Sequence, residues 1–208
     1  LKIGDSELVA KRKVGIVVDI YTIGHSNYTL ERLIDMLKHY KIDVVVDIRG
    51  TPYSKYNTQF DKEMIKYSLT KAGFIYIYMA KELAAKRMNK VSYNDEGFCD
   101  FEKAVHEDEG YNIALLGAMQ DPIRCHRSIL VGRALRDNGF KVHHILDDYS
   151  LASQEDIETN LLDKYFPDRN QITIDSLLGL AKNEEELIIE AYRAANVEIG
   201  RRVENLPK

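Results

Sequence analysis

The sequence predicts an α/β protein: an open, mainly parallel sheet of about five strands flanked by helices, with a helical C-terminal appendage. Three observations predict it. Apolar, β-branched or aromatic runs recur through the first 150 residues. Most of them are apolar continuously rather than alternately, as strands are when helices cover both faces of a parallel sheet. Segments with helical spacing alternate with those runs, and a β-α-β order implies right-handed crossovers.

The strands are read at Gly15 to Ile23, Asp43 to Ile48, Phe74 to Met79, Tyr111 to Met119 and Lys141 to Leu146. Val44-Val45-Val46 and Ala114-Leu115-Leu116 are the clearest continuous runs. Leu30, Leu33, Ile34 and Leu37 recur at helical spacing after a Thr29 cap, and Glu31 favours the positive end of the helix dipole. Further helices are expected over Asp61 to Lys71, Phe98 to Glu107 and His126 to Asp137, the last stopped by Asn138-Gly139. Residues 1–150 therefore read as an α/β domain with a site at its rim. Residues 151–208 read as a helical extension packed on the same domain, with no further clear strand and a break at Pro167-Asp168-Arg169-Asn170. Leu187, Ile188, Ala191, Tyr192 and Ala195 give its last long helix an apolar stripe for that packing.

Composition narrows the function classes. With 45% hydrophobic and 30% charged residues among 208, the chain is neither collagen-like nor broadly disordered. A formal net charge of -4 argues against bulk, non-specific nucleic-acid binding, although local basic clusters can still grip a phosphate. No apolar run approaches the roughly 20 residues that cross a bilayer, and the N-terminus lacks a signal-peptide pattern, so no membrane partner and a cytoplasmic location are expected. Cys99 and Cys125 are too few for a disulfide scaffold and read as free thiols.

In an open α/β sheet, ligands sit beyond the carboxyl ends of the strands. Here those ends are polar: Thr22-Ile23-Gly24-His25-Ser26 after the first strand and Asp47-Ile48-Arg49-Gly50-Thr51-Pro52-Tyr53-Ser54 after the second. Pro122-Ile123-Arg124-Cys125-His126-Arg127-Ser128 follows the fourth, and His143-His144 lies near the fifth. These blocks, in this order and spacing, resemble the signature of the domain of unknown function 488 family, over about residues 20 to 150 and again at Glu190-Ala191-Tyr192. The resemblance implies an α/β fold with a cluster at the strand ends and no established activity. Gly117 and Met119 stand where many members of that family carry a Cys and a Glu.

Cys125 precedes a predicted helix and is surrounded by Arg124, His126 and Arg127, a setting that lowers a thiol pKa. It reads either as a nucleophile or as a small semi-buried thiol at a helix start. It is not the phosphatase or rhodanese loop, because Val131 occupies the position where that cradle needs its arginine. Arg49 and Arg127 are candidate grips for phosphate or carboxylate, and Arg49 also reads as the partner that neutralises Asp47 in an apolar strand. His25 and His126 are candidate acids or bases, and His144 lies close enough in sequence to a strand end to join the anion site. Ser26 and Ser54 read as hydrogen-bond donors or caps.

His25, Cys125, His126 and His144 have acceptable metal-ligand chemistry, but the short paired spacings of zinc sites are missing, so no metal is assigned. Neither dinucleotide nor Walker-type glycine motifs occur, so no cofactor is assigned. The loop from Pro52 to Phe60 mixes Tyr53, Lys55 and Tyr56 as a stacking and binding segment for a nucleotide would, or forms an ordinary polar loop.

The first expectation is an enzyme, a hydrolase or group transferase, acting on an anionic, nucleotide- or nucleic-acid-related substrate, with His25, Cys125 and His126 as catalytic residues. Ser26, Asp47, Arg49, Ser54, Arg127 and His144 then bind the anion. The alternative is a non-catalytic module that recognises a phosphate or a nucleic-acid end with the same residues. A third reading is a homo-oligomer built on the C-terminal helices.

Overall fold

The computed structural model describes residues 19–53, 57–83, 110–172, 178 and 180–204. Ser54, Cys99, the expected Phe98 to Glu107 helix and the Gly15 to Val18 part of the first run lie outside them. The chain is α/β, with a mixed and mostly parallel sheet in the order β3-β2-β4-β1-β5-β6. The strands are β1 Asp19–Gly24, β2 Val44–Asp47, β3 Ile75–Tyr78, β4 Ile113–Gly117, β5 Lys141–Ile145 and β6 Leu151–Ser153. β1 to β5 are parallel and β6 returns antiparallel to β5. The sequence reading omitted β6. It is three residues long with one buried side chain, too short to show a periodicity.

The helices are α1 Leu30–His39, α2 Lys62–Lys71, α3 Ala80–Leu83, α4 Arg133–Asp137, α5 Gln154–Tyr165 and α6 Glu184–Glu204. Thr29 caps α1 by accepting from Arg32 N at 3.2 Å, and Leu33, Met36 and Leu37 turn inward. A reciprocal box starts α5: Ser153 Oγ accepts from Asp156 N at 3.1 Å and the Asp156 carboxylate accepts from Ser153 N at 2.7 Å. The expected His126 to Asp137 helix forms in two parts, a π-helical stretch Arg127–Gly132 running into α4.

Alternation within the apolar runs explains why they are continuous. Val44 and Val46 pack with Ile20, Ile113, Leu115, Leu135 and Val142 on one face. Val45 packs with Leu33, Leu37, Ile65, Leu69, Ala114 and Leu116 on the other, beneath α1 and α2. A third cluster joins Ile129 to Ile157 and Leu161 of α5 and to Ala191, Tyr192, Ala195 and Ile199 of α6. Burying each such side chain contributes roughly 1.5–3 kcal/mol. β1 lies between β4 and β5 while the chain runs first to β2, so the direction of winding reverses beside β1. The ends of β1, β2 and β4 meet at that point, which is where open sheets bind ligands. Among the described residues no helix is long and apolar enough to cross a membrane.

Candidate active site

Two polar arms meet at the strand ends. The first grows from β2. Asp47 is fully buried, and its carboxylate accepts from Arg49 N at 3.0 Å, Arg49 Nε at 2.9 Å, Arg49 Nη2 at 2.7 Å and Tyr76 Oη at 2.7 Å. Arg49 is itself buried and donates Nη1 to Phe60 O at 2.9 Å and to His25 Nε2 at 3.1 Å. A buried pair of opposite charges persists only with this degree of hydrogen bonding.

A guanidinium only donates, so His25 Nε2 is the acceptor and the proton of the neutral ring sits on Nδ1. The ring stacks on Phe60 with centroids 4.2 Å apart. Nδ1 is buried and meets no partner at full hydrogen-bond geometry among the described residues, although the Ser26 backbone lies close enough to favour the protonated ring. Burial and the adjacent Arg49 push the imidazole down to about 3, so it is neutral near neutral pH. Ser26, half-buried, occupies the left-handed region at φ 28° and bonds its N–H to Ala118 O at 2.8 Å.

The second arm follows β4. Pro122–Arg124 forms a tight turn capped by Asp121, after which Cys125 and His126 enter the buried interior. Cys125 Sγ lies 3.9 Å from His126 Nδ1, and His126 Nε2 is 3.1 Å from Ile48 O. A carbonyl only accepts, so Nε2 carries a proton and Nδ1 faces the sulfur, either taking a proton from the thiol or giving one to the thiolate. Burial alone pushes the Cys125 thiol up, but Arg127, His126 and the Arg127 backbone N–H together outweigh it and hold the thiol down at about 5.

Arg127 is 0% exposed. Its Nε donates to Thr22 Oγ1 at 3.2 Å, its Nη2 to Gln120 O at 2.8 Å and its Nη1 to Met119 O in a short contact. It therefore faces inward as a buried charge and a clamp on the loop after β4. No carboxylate pairs with it among the described residues. Two glycines make the arrangement possible. A Cβ on Gly117 would come within 2.8 Å of Cys125 Sγ and 3.1 Å of Arg127 Cδ, and a Cβ on Gly24 would lie 1.8 Å from Met119 O.

His144 of β5 also faces inward. It is fully buried, bonded to Thr22 Oγ1 at 2.7 Å and to Gln154 Oε1 at 2.9 Å, and burial and Arg127 push it down to about 3. The structure thus brings His25, Asp47 and Arg49 together, and separately Cys125, His126, Arg127 and His144. Thr22, Tyr76, Gln154 and Tyr192 join them; the sequence reading assigns none of them a role at the site, although Thr22 opens the first polar block and Tyr192 belongs to the apolar stripe of the last helix. The available signal was a polar residue, Thr22, within a strand otherwise buried and apolar near its end. Arg124, next to Cys125, is exposed and has no side-chain partner among the described residues. Among those residues no group of three metal-binding side chains forms. A surface depression lined by Glu63, Lys66, Tyr67, Thr70 and Lys71 lies on α2 and shares no residue with either arm.

The family described as "Domain of unknown function DUF488" matches residues 29–134, about half of the 208-residue chain. A crystal structure described as "Putative phosphatase (DUF442)" from Shewanella putrefaciens CN-32 is similar at 14% identity, with 84% of this chain and 86% of that chain covered and a TM-score of 0.39. No curated protein matches the chain.

Proposed function

Because the chain belongs to the DUF488 family, whose description assigns no activity, we propose a function from the strand-end cluster itself: a hydrolase or group transferase with Cys125 as its nucleophile. One observation carries this reading. Arg127 is buried with no carboxylate beside it among the described residues, and the neighbouring Cys125 sulfur is a group able to supply a negative charge there. A thiolate formed in this way is also reactive, since it exists at neutral pH without an external base.

In the reaction the sulfur attacks an electrophilic phosphorus, sulfur or acyl carbon, and the bond to the leaving group breaks. The proton on His126 Nδ1 passes to the leaving group, while Nε2–H stays on Ile48 O throughout. Water then cleaves a phosphoryl- or acyl-cysteine in a hydrolase, returning one proton to His126 Nδ1 and releasing the thiolate. In a transferase an acceptor nucleophile takes the group, including a sulfur bound to Cys125, and gives up its proton in the same way. Arg124, exposed and without a side-chain partner among the described residues, is placed next to Cys125 to attract an anionic substrate, and Tyr53, 61% exposed in the loop after Arg49, offers a face on which a base can stack. Both support a nucleotide- or nucleic-acid-related substrate.

The roles inside the cluster differ from those expected at the rim. Arg49 and Asp47 form a frame, and Arg127 acts on an anion through its field. His25, neutral and protonated on Nδ1, suits hydrogen-bond donation rather than proton transfer. Cys125 is 2% exposed, so an electrophile reaches it only through a local opening of the structure.

The test is a panel of activated phosphate mono- and diesters, aryl esters and thiosulfonates, with intact-mass detection of adducts. Turnover that Cys125→Ser abolishes, together with an adduct mapped to Cys125, is expected. Turnover that survives Cys125→Ser undiminished would overturn Cys125 as the nucleophile, and ligand binding that survives it without any turnover would instead favour the non-catalytic binding module.

A further inference from the structure

The buried hydrogen-bond chain behind Arg127 has a definite polarity. Thr22 and His144 are direct neighbours across the β1–β5 pairing. At the far end, Gln154 Nε2 donates to Ser128 O at 3.1 Å and to Tyr192 Oη at 2.8 Å, which turns Oε1 toward His144 Nε2 at 2.9 Å. His144 therefore carries its proton on Nε2, and its Nδ1 lone pair accepts the Thr22 hydroxyl proton at 2.7 Å. With that proton committed, Thr22 Oγ1 presents only lone pairs to Arg127 Nε at 3.2 Å.

Thr22, His144 and Arg127 are each 0% exposed, Gln154 is 1% and Tyr192 is 2%, so no member has water as an alternative partner. The chain continues from Tyr192 Oη to Glu158 Oε1 at 3.1 Å, where Arg136 Nη1 closes it at 2.6 Å. Gly132 leaves the space for it. A Cβ there would lie 2.8 Å from Gln154 Oε1 and 3.3 Å from His144 Cε1.

We propose that Thr22 and His144 are positioning residues that fix the Arg127 guanidinium as the counter-charge of Cys125, with their polarity set by Gln154 of α5 and Tyr192 of α6. This rests on the reading of Cys125 as the reactive group. His144 then serves no ligand at the rim; it acts through Thr22 on the arginine and through the arginine on the sulfur. Removing the Thr22 hydroxyl leaves Arg127 Nε and His144 Nδ1 both without a partner in a dry interior. The guanidinium is then free to move away from the sulfur, and the thiolate loses part of its stabilisation.

The experiment compares the full chain with Thr22→Ser and Thr22→Val by pH-dependent alkylation with iodoacetamide, followed by peptide mass analysis at Cys125. Thr22→Ser keeps the hydroxyl and is expected to titrate like the parent. Thr22→Val is expected to raise the half-point by about one pH unit, lowering the rate near pH 5 several-fold. A folded Thr22→Val protein with the parent half-point overturns the relay. A parent half-point at the ordinary thiol value overturns the nucleophile reading instead, so the two failures are distinct. Should Thr22→Val not fold, nitrogen NMR of the unmodified protein decides: His144 protonated on Nε2 alone at pH 7 is expected, and a proton on Nδ1 overturns the relay.

Discussion

The two arms of the strand-end cluster are built alike and balanced differently. Each contains a buried arginine and a histidine held neutral, Arg49 with His25 directly and Arg127 with His144 through Thr22. Arg49, however, has Asp47 as a bidentate partner, whereas Arg127 has a hydroxyl and two carbonyls, all uncharged. The first arm is electrically complete and serves as a frame. The second holds no anion among the described residues until Cys125 is ionised, and that imbalance is where chemistry can occur. A buried charge therefore marks function less by its presence than by what its partners leave uncompensated.

The largest effect should come from imposing the second arm's imbalance on the first. Asp47→Asn leaves Arg49 buried without a counter-charge, and a loss of about 3–5 kcal/mol is expected in urea unfolding at neutral pH. A loss below about 1 kcal/mol would mean that the Asp47–Arg49 pair is not the frame described here.

A smaller effect tests what the arms share. His25 and His144 are lowered in the fold to about 3 and rise to about 6.5 when unfolded, so between those values only the unfolded chain binds their protons. Their contribution is fully present above pH 6.5 and is lost progressively as the pH falls toward 3. The expected slope in that range approaches about 1.4 kcal/mol per pH unit for each histidine. Urea midpoints measured between pH 7.5 and 4.5 check it, and His144→Gln is expected to flatten the curve. A midpoint unchanged over that range would show that neither ring is held neutral.

Much of the fold was legible because its physics is local. Val44-Val45-Val46 alternates between two covered faces, so every residue must be apolar. Thr29, Glu31 and the leucine spacing define α1 within ten residues. β6 was not legible, because Leu151-Ala152-Ser153 becomes a strand only through pairing with β5. Nor was the π-helical stretch after His126: Gly132 gives way there to Gln154, a residue 22 positions further on.

The site was legible in its location and less so in its wiring. The polar blocks after β1, β2 and β4 converge as expected, and a role for Arg49 as the partner of Asp47 followed from an acid in an apolar strand. Arg127 and His144 were expected to face a ligand. Their inward orientation depends on Thr22 lying opposite His144 and on the carbonyls of Met119 and Gln120, contacts that follow from strand order rather than residue type. The charge on Arg127 was readable; the lack of a carboxylate beside it among the described residues was not.

The most direct measurement is the ionisation of Cys125 itself, by alkylation rate against pH in the intact protein with Cys99 as internal control. A half-point near 5 is predicted, with reactivity retained well below the ordinary thiol range of about 8.5. A Cys125 half-point indistinguishable from that of an ordinary thiol would contradict the account, because Arg127 would then stand buried without the counter-charge assigned to it.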